Sequence, residues 1–350
     1  MRDRPETTET KPMLRALAGT ASARPPIWLM RQAGRYLPEY RAVRARMRDF
    51  LDLCLTPDAA VEVTLQPVQR FGLDAAILFS DILMVPYGLG QNLGFRDGEG
   101  PVLEAVRASG GIGLLAAGLA ALTERLAPVY EAIGGVRAEL PDNVALIGFA
   151  GAPWTVATYM VEGGTSRDFQ HVRLWSCADP DGFGRLIDLL VEATVAHLDR
   201  QLVAGAEVVQ LFDSWAGILS EDGFRRWVIE PTRRIVARLR ANHPGRPIIG
   251  FPRGAGMMAE TYFTETGVTA LGLDTMMPLA AARVLQRIGP VQGNLDPVLL
   301  LAGGDLLLAE SRRILASLSD GPFVFNLGHG VLPQTPVGHV ERLVELLRHG

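Results

Sequence analysis

Residues 26–41 read PIWLMRQAGRYLPEYR, a short apolar run followed by a turn that carries two arginines. The apolar half is typical of a buried strand. Arg31 and Arg35 flank the small pair Ala33-Gly34, and glycine permits the tight turn that would bring both guanidiniums to one spot. Each guanidinium is a planar fork that suits a carboxylate or phosphate. The stretch predicts a strand aimed at an anion site. The alternative is a surface turn whose arginines pair with nearby acids.

The apolar run recurs along the chain, and it is what predicts the fold. Seven further runs lack polar alternation, which is typical of strands buried on both faces: 75–79, 144–149, 208–212, 247–251, 270–273, 290–292 and 323–327. Stretches with helical spacing separate them: 181–202, 224–239, 280–287, 299–318 and 337–347. Eight strands alternating with helices predict a single (β/α)8 TIM barrel. A doubly wound sheet remains the alternative, because the sixth and seventh runs are short.

The domain organisation follows from the spacing of the runs. The second and third are far apart, and between them lie a Gly-rich loop near 88–100 and an Ala/Leu-rich stretch over 112–133. We interpret this segment as a helical insertion of one or two helices. Residues 1–11 are polar and predict a flexible tail, which leaves one barrel domain over 12–350.

Composition excludes several classes of function. The chain is 48% hydrophobic and 21% charged with a net charge of −4, which is ordinary for a globular protein and argues against a nucleic-acid or membrane-surface partner. No apolar run approaches the ~20 residues that span a bilayer, and no signal-peptide pattern opens the chain. Cys54 and Cys177 are far apart. The simplest interpretation is a reduced, cytoplasmic protein.

The basic residues narrow the chemistry further. Lys11 is the single lysine among 34 basic residues, and it falls in the expected tail. Schiff-base chemistry needs a buried lysine of lowered pKa and is therefore not expected. The sequence also lacks metal-ligand spacings, dinucleotide or phosphate-loop fingerprints and a GxSxG nucleophile motif. We expect neither a metal nor a cofactor.

Polar or glycine-rich steps follow nearly every predicted strand. In a barrel the active site lies at the C-terminal ends of the strands, so these steps should crowd one mouth. They are 31–35, Ser80-Asp81, 151–154, Asp213-Ser214-Trp215, Arg253-Gly254, Asp274, 294–296 and 328–330.

Most of these residues also have a structural interpretation. Asp81 could be a helix N-cap or a carboxylate held at the mouth, and a lone Tyr159 is more often a core residue. His329 lies between two glycines and could bind anions or move protons. The Asp213-Ser214 pair could be a second cap. Arg253 could line the mouth or only cap the barrel.

Longer motifs make the chain resemble the uroporphyrinogen decarboxylase family from about residue 11 to its end. They are PIWLMRQAGRYLPEYR from Pro26, TLQPVQRFGLDAAILFSDIL from Thr64, GFAGAPWTVATYMVEGG from Gly148, QLFDSWAG from Gln210, QGNLDP from Gln292 and FNLGHG from Phe325. The resemblance implies a (β/α)8 barrel that acts as a homodimer without metal or cofactor. The implied reaction removes CO2 from the four acetate side chains of uroporphyrinogen III and gives coproporphyrinogen III.

The resemblance also implies roles for individual residues. Asp81 would accept the pyrrole N–H groups and offset the charge of a protonated ring. Arg31 and Arg35 would hold carboxylates, with one of them a candidate proton donor. The implied catalytic set is Asp81, Arg31, Arg35, Tyr159 and His329. The substrate-binding set adds Gln32, Ala33, Gly34, Phe50 and Ser214.

Two rival functions stay open from the sequence. A zinc- and corrinoid-linked methyltransferase can share the barrel, but neither cysteine here has a histidine two residues before it. A tetrapyrrole-binding protein without turnover would keep the same polar mouth.

Overall fold

A computed structural model describes residues 11–96, 100–107 and 109–349 of the chain. The strands are β1 Ala75–Ile77, β2 Leu93–Arg96, β3 Gly100–Leu103, β4 Ala145–Gly151, β5 Val208–Asp213, β6 Ile248–Pro252, β7 Ala270–Gly272, β8 Val291–Leu295 and β9 Phe323–Leu327. Seven of them form one parallel sheet in the order β1-β4-β5-β6-β7-β8-β9, and β2 and β3 form a separate antiparallel hairpin. Neighbours in the parallel sheet are consecutive in the chain, whereas a doubly wound sheet reverses its order.

The first predicted strand, residues 27–30, forms a single bridge rather than a full strand. Ile27 pairs in parallel with Phe325 of β9. Its carbonyl accepts from the backbone N–H of Asp74, one residue before β1, at 2.9 Å. The segment thus occupies the eighth position and closes the sheet between β9 and β1. It does not form a full strand, because the Met30 N–H donates to the side-chain Oδ1 of Asn326, at 3.0 Å, and not to a backbone carbonyl of β9.

Both faces of the sheet are buried, which explains the unbroken apolar runs. In β4, Ala145 and Ile147 face the barrel interior, while Leu146 and Ala150 belong to the outer core under the helices. Because strand side chains alternate between faces, a strand that is buried on both faces needs apolar residues at every position.

Helices cover the outside of the barrel. The α-helices are Pro12–Leu17, Pro38–Arg44, Phe50–Cys54, Pro57–Phe71, Met84–Gly88, Ile112–Gly118, Leu122–Arg125, Ala127–Glu139, Pro153–Glu162, Gln170–Ala178, Pro180–Ala204, Glu221–Phe224, Glu230–Asn242, Ala259–Thr266, Leu279–Gln286, Pro297–Ala302, Gly304–Leu318 and Val337–His349. The 3₁₀-helices are Ser109–Gly111, Leu119–Ala121, Ala216–Ile218 and Gly256–Met258, and Arg225–Ile229 is a π-helix.

The helix predictions differ from the structure at three places. The stretch over 112–133, interpreted as one or two helices, contains the α-helices Ile112–Gly118 and Leu122–Arg125 and the start of a third, Ala127–Glu139. The helix expected over 299–318 is two helices, because Gly303 adopts a positive φ of 69° between them. The helix expected over 224–239 runs from residue 221 to 242 through the π-turn at Arg225–Ile229.

The segment between β1 and β4 contains helices together with a hairpin that was not predicted. The hairpin pairs Leu93 with Leu103, inside the stretch expected to be a Gly-rich loop. The helical part, Ile112–Glu139, is long and apolar enough to cross a membrane by length and composition, contrary to the sequence-based expectation. Here it is divided into shorter helices, and one face packs inward through Leu122 and Ile133, both 0% exposed.

Lys11, assigned to the tail from the sequence, is buried. Its ammonium donates to the carbonyl of Val144 at 2.9 Å and to Glu207 Oε2 at 2.6 Å. Both partners precede strands, so Lys11 lies at the end of the barrel opposite the strand C-termini. The rest of the expected tail, residues 1–10, falls outside the described residues.

Candidate active site

The C-terminal ends of the strands bring most of the predicted site residues to one mouth. Asp81 follows β1 by four residues, and Ser214 follows β5 directly. His329 lies two residues after β9. Tyr159 lies in helix Pro153–Glu162. This helix begins two residues after β4, at Pro153, because proline is favourable in the first turn of a helix.

Arg31 occupies a turn in a left-handed conformation, with φ 60°. Such a backbone costs a non-glycine residue of order 1 kcal/mol, so the surrounding fold must impose it. Arg31 and Arg35 are both exposed, and neither has a carboxylate within 4.0 Å in the part of the chain the structure describes. Glu39, the nearby acid, pairs instead with Arg70 at 2.7 Å. The guanidiniums are therefore available for an anion.

Gln32, Ala33 and Gly34 form the floor of this turn. The side chain of Gln32 is 0% exposed, accepts from Leu29 N–H at 3.1 Å and donates to the Ala75 carbonyl at 3.1 Å. It therefore fastens the arginine turn to β1. Ala33 and Gly34 are half-buried.

Asp81 does not N-cap the following helix, whose N-cap residue is Leu83 and has no side-chain cap. Its Oδ1 instead accepts from Leu83 N–H at 2.8 Å in a local turn. No hydrogen bond reaches Oδ2 from the described residues. Burial raises the pKa of Asp81, while the Leu83 N–H and the Arg31 charge oppose that rise. Arg31 therefore lies within electrostatic range of a carboxylate that keeps one oxygen open.

Phe50 belongs to an aromatic wall beside Asp81. Its ring lies 5.6 Å from that of Phe79 and 4.7 Å from that of Phe95, measured between centroids. Phe79 is two residues before Asp81, and Phe95 comes from the hairpin. The insertion therefore supplies part of the wall.

Tyr159 and the Ser214-Trp215 segment adjoin each other. The rings of Tyr159 and Trp215 lie 6.3 Å apart, and Ser214 is half-buried between Trp215 and the end of β5. Burial raises the pKa of Tyr159, Asp81 adds to the rise, and Arg31 and Arg253 lower it. The phenol thus keeps its proton at neutral pH and can donate a hydrogen bond.

His329 is a neutral imidazole with a defined tautomer. Its Nδ1 accepts from Gly330 N–H at 2.7 Å, so the neutral ring carries its proton on Nε2. Burial, with the charges of Arg31 and Arg253, lowers the pKa of His329 to about 4. His329 therefore offers an N–H donor beside two guanidiniums.

Arg253 belongs to the same cluster. It follows β6 directly, is half-buried, and lies within electrostatic range of both Tyr159 and His329. Within the described ranges it has no carboxylate partner at 4.0 Å or less. Its position at a strand end was the available signal, and the sequence left its role undecided between lining the mouth and capping the barrel.

The Asp213 carboxylate does not cap a helix. It is 1% exposed on the outer side of β5 and accepts from Thr155 Oγ1 at 2.5 Å. Nothing in the sequence singles out Thr155, because a threonine near a helix start is common.

A groove of about 930 Å³ lies elsewhere, on the outer helical face. It is lined by Glu39, Asp58, Val61, Glu62, Leu65, Gln66, Gln69, Arg70, Gly135, Glu139 and Glu341. None of the predicted site residues lines it. Over the residues that the structure covers, no group of three or more His, Cys, Asp or Glu side chains could hold a metal ion.

Comparison with known proteins shows the family of this chain. The family model described as uroporphyrinogen decarboxylase (URO-D) matches residues 8–349. The chain belongs to the uroporphyrinogen decarboxylase family. The family predicted from the motifs is confirmed, and so is the prediction of an enzyme, because this is a family of carboxy-lyases.

Curated relatives of the family match almost end to end. The chain is 54% identical over 339 residues to the uroporphyrinogen decarboxylase of Rhodospirillum rubrum, covering 97% of each chain. It is 52% identical over 338 residues to that of a Chelativorans species, covering 97% of this chain and 98% of the relative.

Solved structures resemble the fold at low sequence identity. A methyltransferase from Methanosarcina mazei gives a TM-score of 0.78 at 20% identity, covering 95% of this chain and 96% of its own. A B12-independent methionine synthase from Shewanella sp. W3-18-1 gives 0.54 at 10% identity, covering 94% and 96%. With the closed order of the parallel sheet, these likenesses confirm the barrel prediction.

Proposed function

We propose that this chain removes CO2 from the four acetate side chains of uroporphyrinogen III and yields coproporphyrinogen III. The observation that carries the proposal is the grouping of Asp81 with the guanidiniums of Arg31 and Arg253, which lack acidic partners among the described residues. The exposed Arg35, four residues after Arg31, also lacks an acidic partner in the described ranges. An octa-anionic substrate with pyrrole N–H groups complements that combination, because guanidiniums bind carboxylates and a carboxylate accepts from N–H donors.

The substrate supplies its own electron sink. Protonating a pyrrole carbon makes the ring iminium-like, and the bond between the acetate methylene and its carboxylate then breaks toward the ring as CO2 leaves. Protonation of the exocyclic methylene and loss of the ring proton complete a methyl group. Each turn therefore consumes one proton and releases one CO2.

The side chains have distinct proposed tasks in this sequence. Asp81, with Oδ2 open, accepts the pyrrole N–H groups and offsets the ring charge from a half-buried position, where such stabilisation is stronger than in bulk water. Arg31, Arg35 and Arg253 hold acetate and propionate carboxylates. Tyr159 and His329 are neutral donors that can orient a carboxylate without adding charge. Ser214 and Phe50 shape the pocket, and Gln32, Ala33 and Gly34 hold the arginine turn.

We also propose a homodimer in the cytoplasm, with neither nucleic acid nor membrane as partner. The family resemblance supports the dimer, and large apolar side chains in the loops after β6 and β7 support a partner surface, with Met257 95% exposed and Met276 84% exposed. The unpaired thiols of Cys54 and Cys177 suit a reducing compartment. Analytical ultracentrifugation of the full chain tests the assembly, and a monomer at micromolar concentration would contradict it.

The reaction is tested by anaerobic incubation of the purified protein with uroporphyrinogen III, without added metal or cofactor. The products are oxidised and separated by carboxylate number. We expect seven-, six-, five- and four-carboxylate species. Eight-carboxylate material that remains unchanged beside folded protein would favour a binding protein without turnover.

A further inference from the structure

Thr155 and Asp213 form a buried polar contact outside the barrel, just below the mouth. Thr155 is 0% exposed and Asp213 is 1% exposed. The second carboxylate oxygen, Oδ2, has no hydrogen-bond partner in the described structure. Buried carboxylates are costly unless they are well bonded. The bond from Thr155 is therefore a main compensation for burying this acid.

The Thr155 hydroxyl donates one hydrogen bond and accepts another. It donates to Asp213 Oδ1 at 2.5 Å and accepts from the backbone N–H of Trp215 at 3.0 Å. A hydroxyl has one proton and two lone pairs, so it can do both at once. Because the hydroxyl proton of Thr155 points at Asp213 Oδ1, a lone pair of the hydroxyl oxygen can accept from the Trp215 N–H.

This contact joins two elements that each carry a candidate site residue. Thr155 and Tyr159 are four residues apart in helix Pro153–Glu162 and therefore share a face. Ser214 lies between the two residues that the hydroxyl holds. The indole N–H of Trp154 donates to the Trp215 carbonyl at 2.9 Å and reinforces the junction.

We propose that Thr155 and Asp213 are positioning residues that set Ser214 and Trp215 against Tyr159 in the substrate pocket. The expected loss of activity rests on the proposed function, whereas the expected movement of residues 214–215 does not. Without the hydroxyl, the N–H of Trp215 loses its partner, and the 214–215 segment is free to move away from the helix.

The test compares Thr155→Val, Thr155→Ser and Thr158→Val. Valine keeps the shape of Thr155 and removes its hydroxyl, whereas serine keeps the hydroxyl. Thr158 is a matched control, because it is 1% exposed in the same helix and its hydroxyl donates only to the Thr155 carbonyl, at 2.6 Å. Thr158→Val therefore removes a buried hydroxyl without touching the 214–215 segment.

We expect Thr155→Val to lower kcat/KM for uroporphyrinogen III by roughly 10- to 100-fold, the range typical of a misplaced site. Thr155→Ser should recover most of the loss, and Thr158→Val should stay within about 3-fold of wild type, as expected away from the site. Equal losses in Thr155→Val and Thr158→Val, or no recovery with serine, would overturn the proposal.

Crystal structures of the two Thr155 variants give a readout that needs no turnover. Displacement of residues 214–215 from the helix in Thr155→Val, with none in Thr155→Ser, supports the positioning role. An unmoved segment in Thr155→Val rejects it. If the wild type fails to turn over substrate, the proposed function fails, and these structures still decide the inference.

Discussion

The side chain of Arg31 lies directly against Gly330, in the space that the Cβ of any other residue at position 330 would occupy. A Cβ built on Gly330 would lie 2.3 Å from Arg31 Cδ and 2.6 Å from Cγ. Two distant parts of the sequence, the arginine turn and the loop after β9, thus meet at one glycine. The clash would involve the middle of the arginine chain rather than its mobile end, so the guanidinium would have to move.

Gly330→Ala should therefore lower activity by displacing Arg31. We expect kcat/KM to fall roughly 10-fold or more, with the loss mainly in KM, because a binding contact is affected. Gly338→Ala is the matched control, since a Cβ there meets nothing within 4 Å. Steady-state kinetics of both variants check the prediction. Wild-type KM in Gly330→Ala would show that Arg31 holds no substrate carboxylate.

Asp81→Asn should separate activity from stability. Loss of the negative charge removes the proposed stabilisation of the protonated ring, and we expect kcat to fall by about 100-fold or more. Burial raises the pKa of Asp81, so its ionised form disfavours folding, and the uncharged variant should melt no lower than wild type at pH 8.

Asp296→Asn provides the control for Asp81. Asp296 also follows a strand at the same mouth, and its Oδ1 also accepts from the backbone N–H two residues on, at 2.8 Å. Asparagine caps as well as aspartate, so this variant should retain activity. Equal kinetic losses in the two variants would mean that Asp81 acts only through the hydrogen bond from Leu83 N–H.

Asp213 should make stability depend on pH. Burial raises its pKa from the ordinary 3.8 to about 7, so between pH 4 and 7 the native state binds a proton that the unfolded chain has lost. The free energy of unfolding should therefore fall as pH rises through that window, by an upper limit on the order of 4 kcal/mol. Urea titrations at pH 5 and pH 8 measure the difference.

Asp213→Asn isolates this effect. The amide oxygen can still accept from Thr155, while the buried charge is gone. The variant should lose less stability than wild type between pH 5 and 8 and keep its activity. An identical fall in both proteins would assign the pH dependence to other groups.

His329 should remain uncharged throughout the working range of the enzyme. Its pKa of about 4 lies below the ordinary 6.5, so protonation disfavours the fold as pH falls from 6.5 toward 4. Nitrogen-15 NMR of the imidazoles at pH 7 should show Nε2 protonated and Nδ1 bare, with the signals assigned by their loss in His329→Gln. An imidazolium signal at pH 7 would contradict the proposed neutral donor.

Local sequence was a reliable guide to the strands and a weaker one to their ends. Seven of the eight apolar runs contain strands because burial on both faces leaves an unbroken apolar signature. The run at 27–30 carries the same signature but makes only one bridge, since a side-chain amide of β9 replaces part of its ladder. The hairpin β2–β3 escaped prediction because its glycines are equally typical of a loop.

Some residues of the site could likewise be predicted from the sequence, and others could not. Asp81 and His329 could be named from the sequence because each follows a strand end, where parallel topology places reactive groups. The position of Arg253 gave the same signal, yet only its proximity to His329 and Tyr159 decides between the mouth and a cap.

The sequence by itself determined the barrel, the family and the mouth that carries the polar groups, because burial and strand ends leave a local pattern. Tertiary structure alone decided which groups share an environment: Lys11 at the far end, Arg31 against Gly330, and Thr155 between Asp213 and Trp215. These contacts join residues from 58 to nearly 300 positions apart. Their geometry, the buried charges and the shifted pKa values arise only when the closed sheet brings those positions together.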